Sequence, residues 1–239
     1  MNKKILIFGG TGAIGFSIAK KISEENYTPV IISRNEEELI IKSKEINCEY
    51  EICDVLDKDQ IDQVSKKHGD TVFGIAYCIG SINLKPLKIT KDEDFIESYK
   101  INTIGAINSI KSNIESLAKN NGAILFFSTI AVQQGFTNHS IVSSSKGAIE
   151  GLTLSLAAEF APKIRVNVIA PSIVNTPLAN RFLNNEIKVQ KSSEKHPLNR
   201  IGNKDDISEM INFLLSEKST WITGQIISVD GGLSTIIKN

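Results

Sequence analysis

Short apolar runs alternate with longer amphipathic stretches from one end of this chain to the other. Ile14, Ile18 and Ile22 share one face at a spacing of 3.6 residues, which predicts a helix. Seven runs rich in Ile, Val or Phe, bounded by Gly, Asp, Asn or Pro, predict strands at residues 4–8, 29–33, 50–53, 72–78, 123–128, 165–169 and 226–229. Because continuously apolar strands are typical of a parallel sheet covered on both faces, we expect an α/β fold with a doubly wound parallel seven-stranded sheet. The sequence contains no internal repeat and no linker, so we expect a single domain with three layers in the order α/β/α.

One stretch departs from this alternation. Residues 175–197 are polar, follow a predicted strand and contain Pro177 and Pro197. Loops at the carboxyl ends of the strands form the ligand crevice of a doubly wound sheet. We therefore expect a mobile substrate lid at residues 175–197, with a surface helical insertion as the alternative.

Charge and composition narrow the range of partners. The 239 residues carry 27 Lys+Arg and 27 Asp+Glu, so the basic surplus typical of nucleic-acid binders is absent. No apolar run reaches the ~18 residues of a membrane span. Cys48, Cys53 and Cys78 form no CxxC pair, so we interpret them as buried thiols of a reducing cytosol, with neither a disulfide nor a metal site. These observations favour a cytoplasmic protein with a small-molecule substrate and with no nucleic-acid or membrane partner.

A glycine-rich turn follows the first predicted strand and begins the first predicted helix. It runs Gly9-Gly10-Thr11-Gly12-Ala13-Ile14-Gly15 and contains the spacing Gly10-x-Gly12-x-x-Gly15. Glycines permit a tight turn and close approach of the backbone, and a helix N-terminus offers amides to a pyrophosphate. The motif predicts dinucleotide binding in a Rossmann-type sheet, with a glycine turn that binds no ligand as the alternative.

The second predicted strand ends in Ser33-Arg34 rather than in an acidic residue. An acid at this position binds the ribose 2′-hydroxyl of NAD, whereas a guanidinium suits the 2′-phosphate of NADP. The sequence therefore favours NADP(H), with NAD(H) less favoured and a solvated Arg34 as the alternative reading. Asp54-Val55 follows the third strand, where Asp54 either reaches the adenine or caps the next helix.

The order of motifs over the whole chain resembles that of the short-chain dehydrogenase/reductase family. The matching segments are residues 9–15, 53–55, 77–80, 100–102, 127–129, 145–148, 165–171, 175–177, 200–202, 221–225 and 229–232. Each segment alone is weak evidence, but so many in one order are specific. The resemblance implies an NADP(H)-dependent oxidoreductase that transfers a hydride to a small carbonyl or to an activated C=C bond.

The resemblance also implies which residues contact the cofactor and how the chain assembles. The implied cofactor contacts are Gly9, Thr11, Gly12, Ala13, Ile14, Gly15, Ser33, Arg34, Asp54, Val55, Cys78, Ile79, Gly80, Asn102, Lys146, Pro171, Ile173, Val174 and Thr176. Helices at residues 92–117 and 141–161, together with residues 226–237, would pair with copies of themselves. We therefore expect a homotetramer, with a homodimer as the alternative.

One position departs sharply from the family pattern. The catalytic Tyr-x-x-x-Lys of the family is Val142-x-x-x-Lys146 here, so the side chain that protonates a carbonyl oxygen is missing. The resemblance still implies that Asn102 and Lys146 belong to the catalytic set. For the active-site hydroxyl, Thr129 has the family's spacing before position 142, whereas Ser128 has the family's residue type, so both are candidates.

His139 is the candidate replacement for the tyrosine. It precedes Lys146 by seven residues, which is similar to the Tyr-(six residues)-Lys spacing of enoyl-acyl-carrier-protein reductases in the same superfamily. Those enzymes reduce a C=C bond conjugated to a thioester. A histidine can polarise a carbonyl or donate a proton near neutral pH, so we predict a catalytic role, with a helix-start residue as the alternative. The missing tyrosine also leaves a second class of function open: a catalytically silent NADP(H)-binding protein that acts as a sensor or scaffold.

Overall fold

All seven predicted strands are present in one parallel sheet. A computed structural model describes residues 3–237. The strands are β1 (Lys4–Phe8), β2 (Thr28–Ser33), β3 (Glu49–Ile52), β4 (Val72–Tyr77), β5 (Ala123–Phe127), β6 (Arg165–Pro171) and β7 (Ile226–Val229), in the order β3-β2-β1-β4-β5-β6-β7. The predicted Rossmann-type fold is confirmed, with strand ends that differ by one or two residues. β6 runs on to Pro171 because it pairs with β7 as far as Val229.

Helices cover both faces of the sheet and complete three layers. They are α1 (Ala13–Ser23), α2 (Glu36–Ile46), α3 (Lys58–His68), α4 (Asp92–Tyr99), α5 (Gly105–Lys111), α6 (Ile114–Lys119), α7 (Ser140–Phe160), α8 (Glu186–Lys195) and α9 (Lys204–Leu215). Leu6 and Phe8 of β1 belong to a core with α3, α5 and α7, whereas Ile5 and Ile7 belong to a core with α1, α2 and α9. This alternation buries residues 5–8 of β1 on one face of the sheet or the other.

The helix predicted over residues 92–117 is wrong as a continuous element. A π-helical turn at Lys100–Ile104 separates α4 from α5, and a break at residues 112–113 separates α5 from α6. Buried polar side chains bond back to the helix at both places. Asn102 Nδ2 donates to Ser98 O at 2.9 Å, and Asn113 Nδ2 donates to Ser109 O at 2.9 Å. Asn102 therefore lies where its helix is distorted.

Residues 175–197 form a short turn at Pro177–Ala179 followed by α8. Asn185 caps α8 and accepts a hydrogen bond from Lys188 N at 2.9 Å. The segment begins at the carboxyl end of β6, so it lies beside the crevice of the sheet. None of the helices within residues 3–237 has the length and apolar character needed to cross a membrane.

The three cysteines are free thiols, but only Cys53 is fully buried. Cys48 and Cys78 are partly exposed residues, so the expectation of three buried cysteines holds fully for Cys53 alone, although burial still raises the pKa of the other two thiols. Cys78 lies one residue beyond the end of β4, where the chain leaves the sheet for the loop above it.

Candidate active site

A cavity of about 390 Å³ lies at the carboxyl ends of the central strands. Its walls are mainly apolar, and the polar groups among its lining include Thr129, His139 and Lys146. Val142 lies in the wall, at the position where the family has its tyrosine. A mainly apolar cavity with a few convergent polar groups is typical of a small-molecule site.

The glycine turn is held tightly between β1, β2 and α1. Gly9 has φ +82°, and the amides of Gly9 and Gly10 donate to Ile32 O at 2.8 and 3.1 Å. A Cβ on Gly15 would lie 2.3 Å from Gly9 O. Within the described residues no side chain caps α1, whose N-cap is Gly12. The first-turn amides of α1 therefore remain available to a phosphate, which fits a bound dinucleotide.

The residues predicted for the adenosine end lie together at the ends of β2 and β3. Thr11 Oγ1 donates to Ser33 Oγ at 3.0 Å, which connects the glycine turn to the end of β2. The exposed Arg34 guanidinium lies 3.7 Å from an oxygen of Asp54. An exposed pair at this distance contributes little stability, so Arg34 can move to a ligand phosphate. Asp57 rather than Asp54 caps α3, which excludes the capping role considered for Asp54.

Gly80 and Lys146 line the cavity, and Asn102 packs against Gly80 behind them. A Cβ on Gly80 would lie 3.0 Å from Asn102 Oδ1 and 3.4 Å from Lys146 Nζ. Asn102 is fully buried in the π-helical turn and also donates to Ser81 Oγ at 3.3 Å. Because Gly80 has no side chain, the Lys146 ammonium packs directly against the backbone at this residue.

Lys146 is a buried lysine without a counter-charge. Burial lowers its pKa to about 8, an effect that the nearby Cys78 partly opposes. Within residues 3–237, no carboxylate lies at ion-pair distance from Lys146 Nζ. Burial raises the pKa of the Cys78 thiol, which therefore stays protonated at neutral pH. Such a lysine suits hydrogen bonding to the hydroxyls of a bound ribose and to a developing oxyanion.

The two candidate hydroxyls differ in their partners. Ser128 Oγ donates to Glu150 Oε1 at 2.6 Å, so its proton is directed to that buried carboxylate. Thr129 Oγ1 accepts from Ala131 N at 3.2 Å, which leaves its own proton free to point into the cavity. This geometry favours Thr129 as the group that contacts substrate. Sequence reasoning missed Glu150, although an acid four residues after Lys146 on an otherwise apolar helix face was a signal.

His139 lies at the start of α7 and is partly exposed at the edge of the cavity. Its Nδ1 donates to Thr137 O at 2.8 Å, because a carbonyl oxygen can only accept. The neutral ring therefore carries its proton on Nδ1, and Nε2 can donate only when the ring is protonated. The side chain of His139 does not cap α7.

Four predicted contacts at the end of β6 and in the loop after it line the same cavity: Pro171, Ile173, Val174 and Thr176. Ile14, Cys78, Ile79 and Gly80 line it from the first half of the sheet. Sequence reasoning missed two other lining residues, Ser172 and His196, which are hydrogen-bonded to each other. Their only sequence signal was position, directly after Pro171 and at the end of the polar segment.

The sequence of this chain is similar to a family model and to named relatives. Residues 10–234 match the model of the family described as enoyl-(acyl carrier protein) reductase. The chain is 30% identical over 239 residues to carbonyl reductase family member 4 of Xenopus laevis, and the alignment covers 98% of each chain. It is also 30% identical over 244 residues to 3-oxoacyl-[acyl-carrier-protein] reductase of Mus musculus, and this alignment covers 99% of this chain and 100% of the relative.

Solved structures agree with this relationship. The structure of ElxO with NADP bound has a TM-score of 0.90 at 30% identity and covers 98% of this chain and 99% of ElxO. A short-chain type dehydrogenase/reductase from Mycobacterium ulcerans has a TM-score of 0.91 at 24% identity and shows the shared fold. The sheet, glycine turn and buried lysine define a dinucleotide-binding α/β protein. The chain belongs to the short-chain dehydrogenase/reductase family of oxidoreductases.

Proposed function

We propose that this protein is an NADPH-dependent reductase that acts on a small apolar substrate with a carbonyl or a C=C bond conjugated to a carbonyl. The observation that carries the proposal is the placement of Thr129 and Lys146 around a cavity in which Val142 replaces the expected acid. When bound, NADPH supplies the hydride. The protein supplies the binding, the orientation and the electrostatic stabilisation.

The residues present fit this cofactor. The glycine turn and the uncapped start of α1 suit the pyrophosphate, and Lys146 with the bare backbone at Gly80 suits the nicotinamide ribose. β2 ends in Ser33-Arg34 rather than in an acidic residue, and the exposed Arg34 is available for a 2′-phosphate. ElxO, the 30% identical relative, holds NADP in its structure. These features together support NADP(H) rather than NAD(H).

The reacting group follows from what the cavity can stabilise. Lys146 and Thr129 can bind an oxygen that becomes negative, but Val142 cannot protonate it. A simple ketone yields an alkoxide, which is a strong base and needs a proton at once. A C=C bond conjugated to a carbonyl yields an enolate, whose charge is delocalised and is held by hydrogen bonds. We therefore place conjugated C=C substrates ahead of simple ketones.

The test is NADPH oxidation with three substrates that share one acyl chain: an enoyl thioester, a 3-oxoacyl thioester and the corresponding methyl ketone. We expect turnover to be fastest with the enoyl thioester and slowest with the methyl ketone. Faster turnover of the ketone would contradict the preference for C=C bonds. Tight NADPH binding without oxidation of any substrate would replace the proposal with a silent NADP(H)-binding protein.

We also propose that the chain assembles as a homotetramer, with a dimer as the alternative. Ile96 and Tyr99 of α4, Ile104 beside α5 and Leu154 of α7 are large apolar side chains that are exposed on the single chain. They lie on the same helices that the family resemblance assigns to pairing, and burial of such a face in an interface would remove it from water. Light scattering at micromolar concentration tests this, because a mass of 26.2 kDa would contradict it.

A further inference from the structure

A hydrogen-bonded pair of polar side chains lines the cavity beside the predicted catalytic groups. Ser172 follows the last residue of β6, and His196 follows the last residue of α8. Ser172 Oγ and His196 Nε2 are 2.8 Å apart, and His196 Nδ1 is 2.7 Å from Ser192 O. His196 is only 2% exposed, yet it lines the same cavity as Thr129. The pair joins the strand end to the polar segment 175–197.

The two hydrogen bonds of His196 fix where its protons lie. Ser192 O can only accept, so Nδ1 carries a proton in both charge states of the ring. In the neutral ring, Nε2 accepts a hydrogen bond from the Ser172 hydroxyl. In the protonated ring, Nε2 donates to Ser172 Oγ, and the hydroxyl proton is free to point elsewhere. The bond persists in both states, but its direction reverses, which is the property that a proton relay needs.

The charges around His196 come from three elements. Asp230, on the turn after β7, is the nearby acid; burial alone would raise its pKa, but hydrogen bonds from Ser234 and Gly232 and the charge of His196 hold it below its usual range. The same turn packs on the ring, since a Cβ on Gly231 would lie 3.5 Å from it. Lys195 of α8 and Lys146 of α7 line the same cavity. Asp230 and a protonated His196 attract each other.

His139 lacks this arrangement. Its Nδ1 also donates to a backbone carbonyl, but its ring is partly exposed at the edge of the cavity. Among the hydrogen bonds of residues 3–237, no hydroxyl lies on its Nε2. A hydroxyl between a histidine and a substrate can donate its proton and then take a new one from the histidine. Of the two histidines that line the cavity, His196 with Ser172 provides this arrangement.

We propose that Ser172 and His196 form a proton relay that supplies the proton of the reduction in place of the missing tyrosine. The inference rests on the proposed function. The hydride adds to the β-carbon of the conjugated C=C bond, and the π electrons shift to give an enolate. The α-carbon of the enolate takes the Ser172 hydroxyl proton as that O–H bond breaks. Ser172 Oγ takes the Nε2 proton of His196, which becomes neutral and regains a proton from water between turnovers.

The first experiment measures kcat and NADPH affinity in substituted proteins. Ser172→Ala removes the donor and should lower kcat by about 100-fold, within the usual contribution of a general acid, while NADPH affinity stays within about twofold. Ser172→Thr keeps a hydroxyl and should restore most of the activity. Ser193→Ala is the matched control, because Ser193 lies in the same segment and its hydroxyl donates to Val189 O within α8. Full activity of Ser172→Ala would overturn the relay.

The second experiment tests the relay without measuring catalytic turnover. The protein has three histidines, so nitrogen NMR of 15N-histidine-labelled protein with NADP⁺ bound can be assigned by single substitution. We expect the Nε2 signal of His196 to report gain of a proton as the pH falls from 9 to 5, and to shift when Ser172 is replaced by alanine. A ring that stays neutral over this range would overturn the relay. If no substrate is turned over, the proposed function fails, while this titration still decides whether the pair can carry a proton.

Discussion

The cofactor side and the substrate side of the cavity differ in how they are built. On the cofactor side, the key features are backbone: the turn at Gly9, the packing of Gly15 on Gly9 O and the bare strip at Gly80. On the substrate side, the features are side chains brought together from distant segments, such as Ser172 with His196. Val142 removes the family's acid from this side while Lys146 remains one helical turn away. Dinucleotide binding therefore tolerates little change, whereas the proton donor can be moved to another element.

The largest expected effect tests the cofactor side through Gly15→Ala. The new Cβ would lie 2.3 Å from Gly9 O, so the glycine turn must move. Overpacking of this kind costs about 1–3 kcal/mol, and we expect NADPH affinity to fall by about 100-fold in titration calorimetry.

Gly151→Ala on α7 is the control for that change. A Cβ there meets nothing within 4 Å, and alanine is the better helix former at both sites. Because helix propensity changes in the same direction at both positions, a difference in NADPH affinity between the two variants reports the steric contact at Gly15. Equal NADPH affinities would contradict the packing argument.

The substrate side is tested by Val142→Tyr, which returns a phenol to the position one turn before Lys146. We expect reduction of the simple ketone to rise by about 100-fold, since a positioned general acid contributes 10²–10⁴-fold as a rule. Val142→Phe fills the same space without a hydroxyl and should leave ketone reduction unchanged. If Phe and Tyr raise the rate equally, the effect comes from packing and not from proton donation.

Lys146 links the two sides and should make stability depend on pH. Its folded pKa of about 8 lies below the ordinary value of 10.5. Between these values the unfolded chain holds a proton that the folded chain has lost, so the contribution of Lys146 to the free energy of unfolding of the cofactor-free protein rises with pH. The slope is at most about 1.4 kcal/mol per pH unit, and below pH 8 it disappears.

Urea unfolding between pH 7.5 and 10.5 measures this slope as a difference between the wild-type protein and Lys146→Met. Lys163→Met, which replaces an exposed lysine just beyond α7, should keep the wild-type slope. Identical slopes in wild type and Lys146→Met would show that burial does not hold the lysine in its neutral form.

The smallest effect concerns the adenosine end. We expect NADPH to bind at least tenfold tighter than NADH, a difference of about 1.4 kcal/mol, because Arg34 can pair with the 2′-phosphate. Arg34→Ala should remove most of the difference, whereas Arg181→Ala, which removes an exposed arginine elsewhere, should not. Equal affinities of the wild-type protein for the two cofactors would contradict the assignment.

The sequence alone determined the sheet and most of the cofactor side. Strand positions could be predicted because residues 5–8 of β1 and the whole of β4 are buried on both faces and carry no charged residue. The glycine turn was readable because its constraint is local: the residues that pack together lie within seven positions of one another. Lys146 could be predicted because residues 145–148 resemble a family motif that lies within a single helix.

Only the tertiary structure decided the substrate side. The Ser172–His196 bond spans 24 residues, and the Ser128–Glu150 bond spans 22, so neither spacing carries a helical or strand signal. The helix at residues 92–117, which the family resemblance implied, is interrupted where the buried amides of Asn102 and Asn113 bond to backbone and to a neighbouring element. Local periodicity reports which face of an element is buried. It does not report which polar groups meet there, because those contacts depend on how the elements pack.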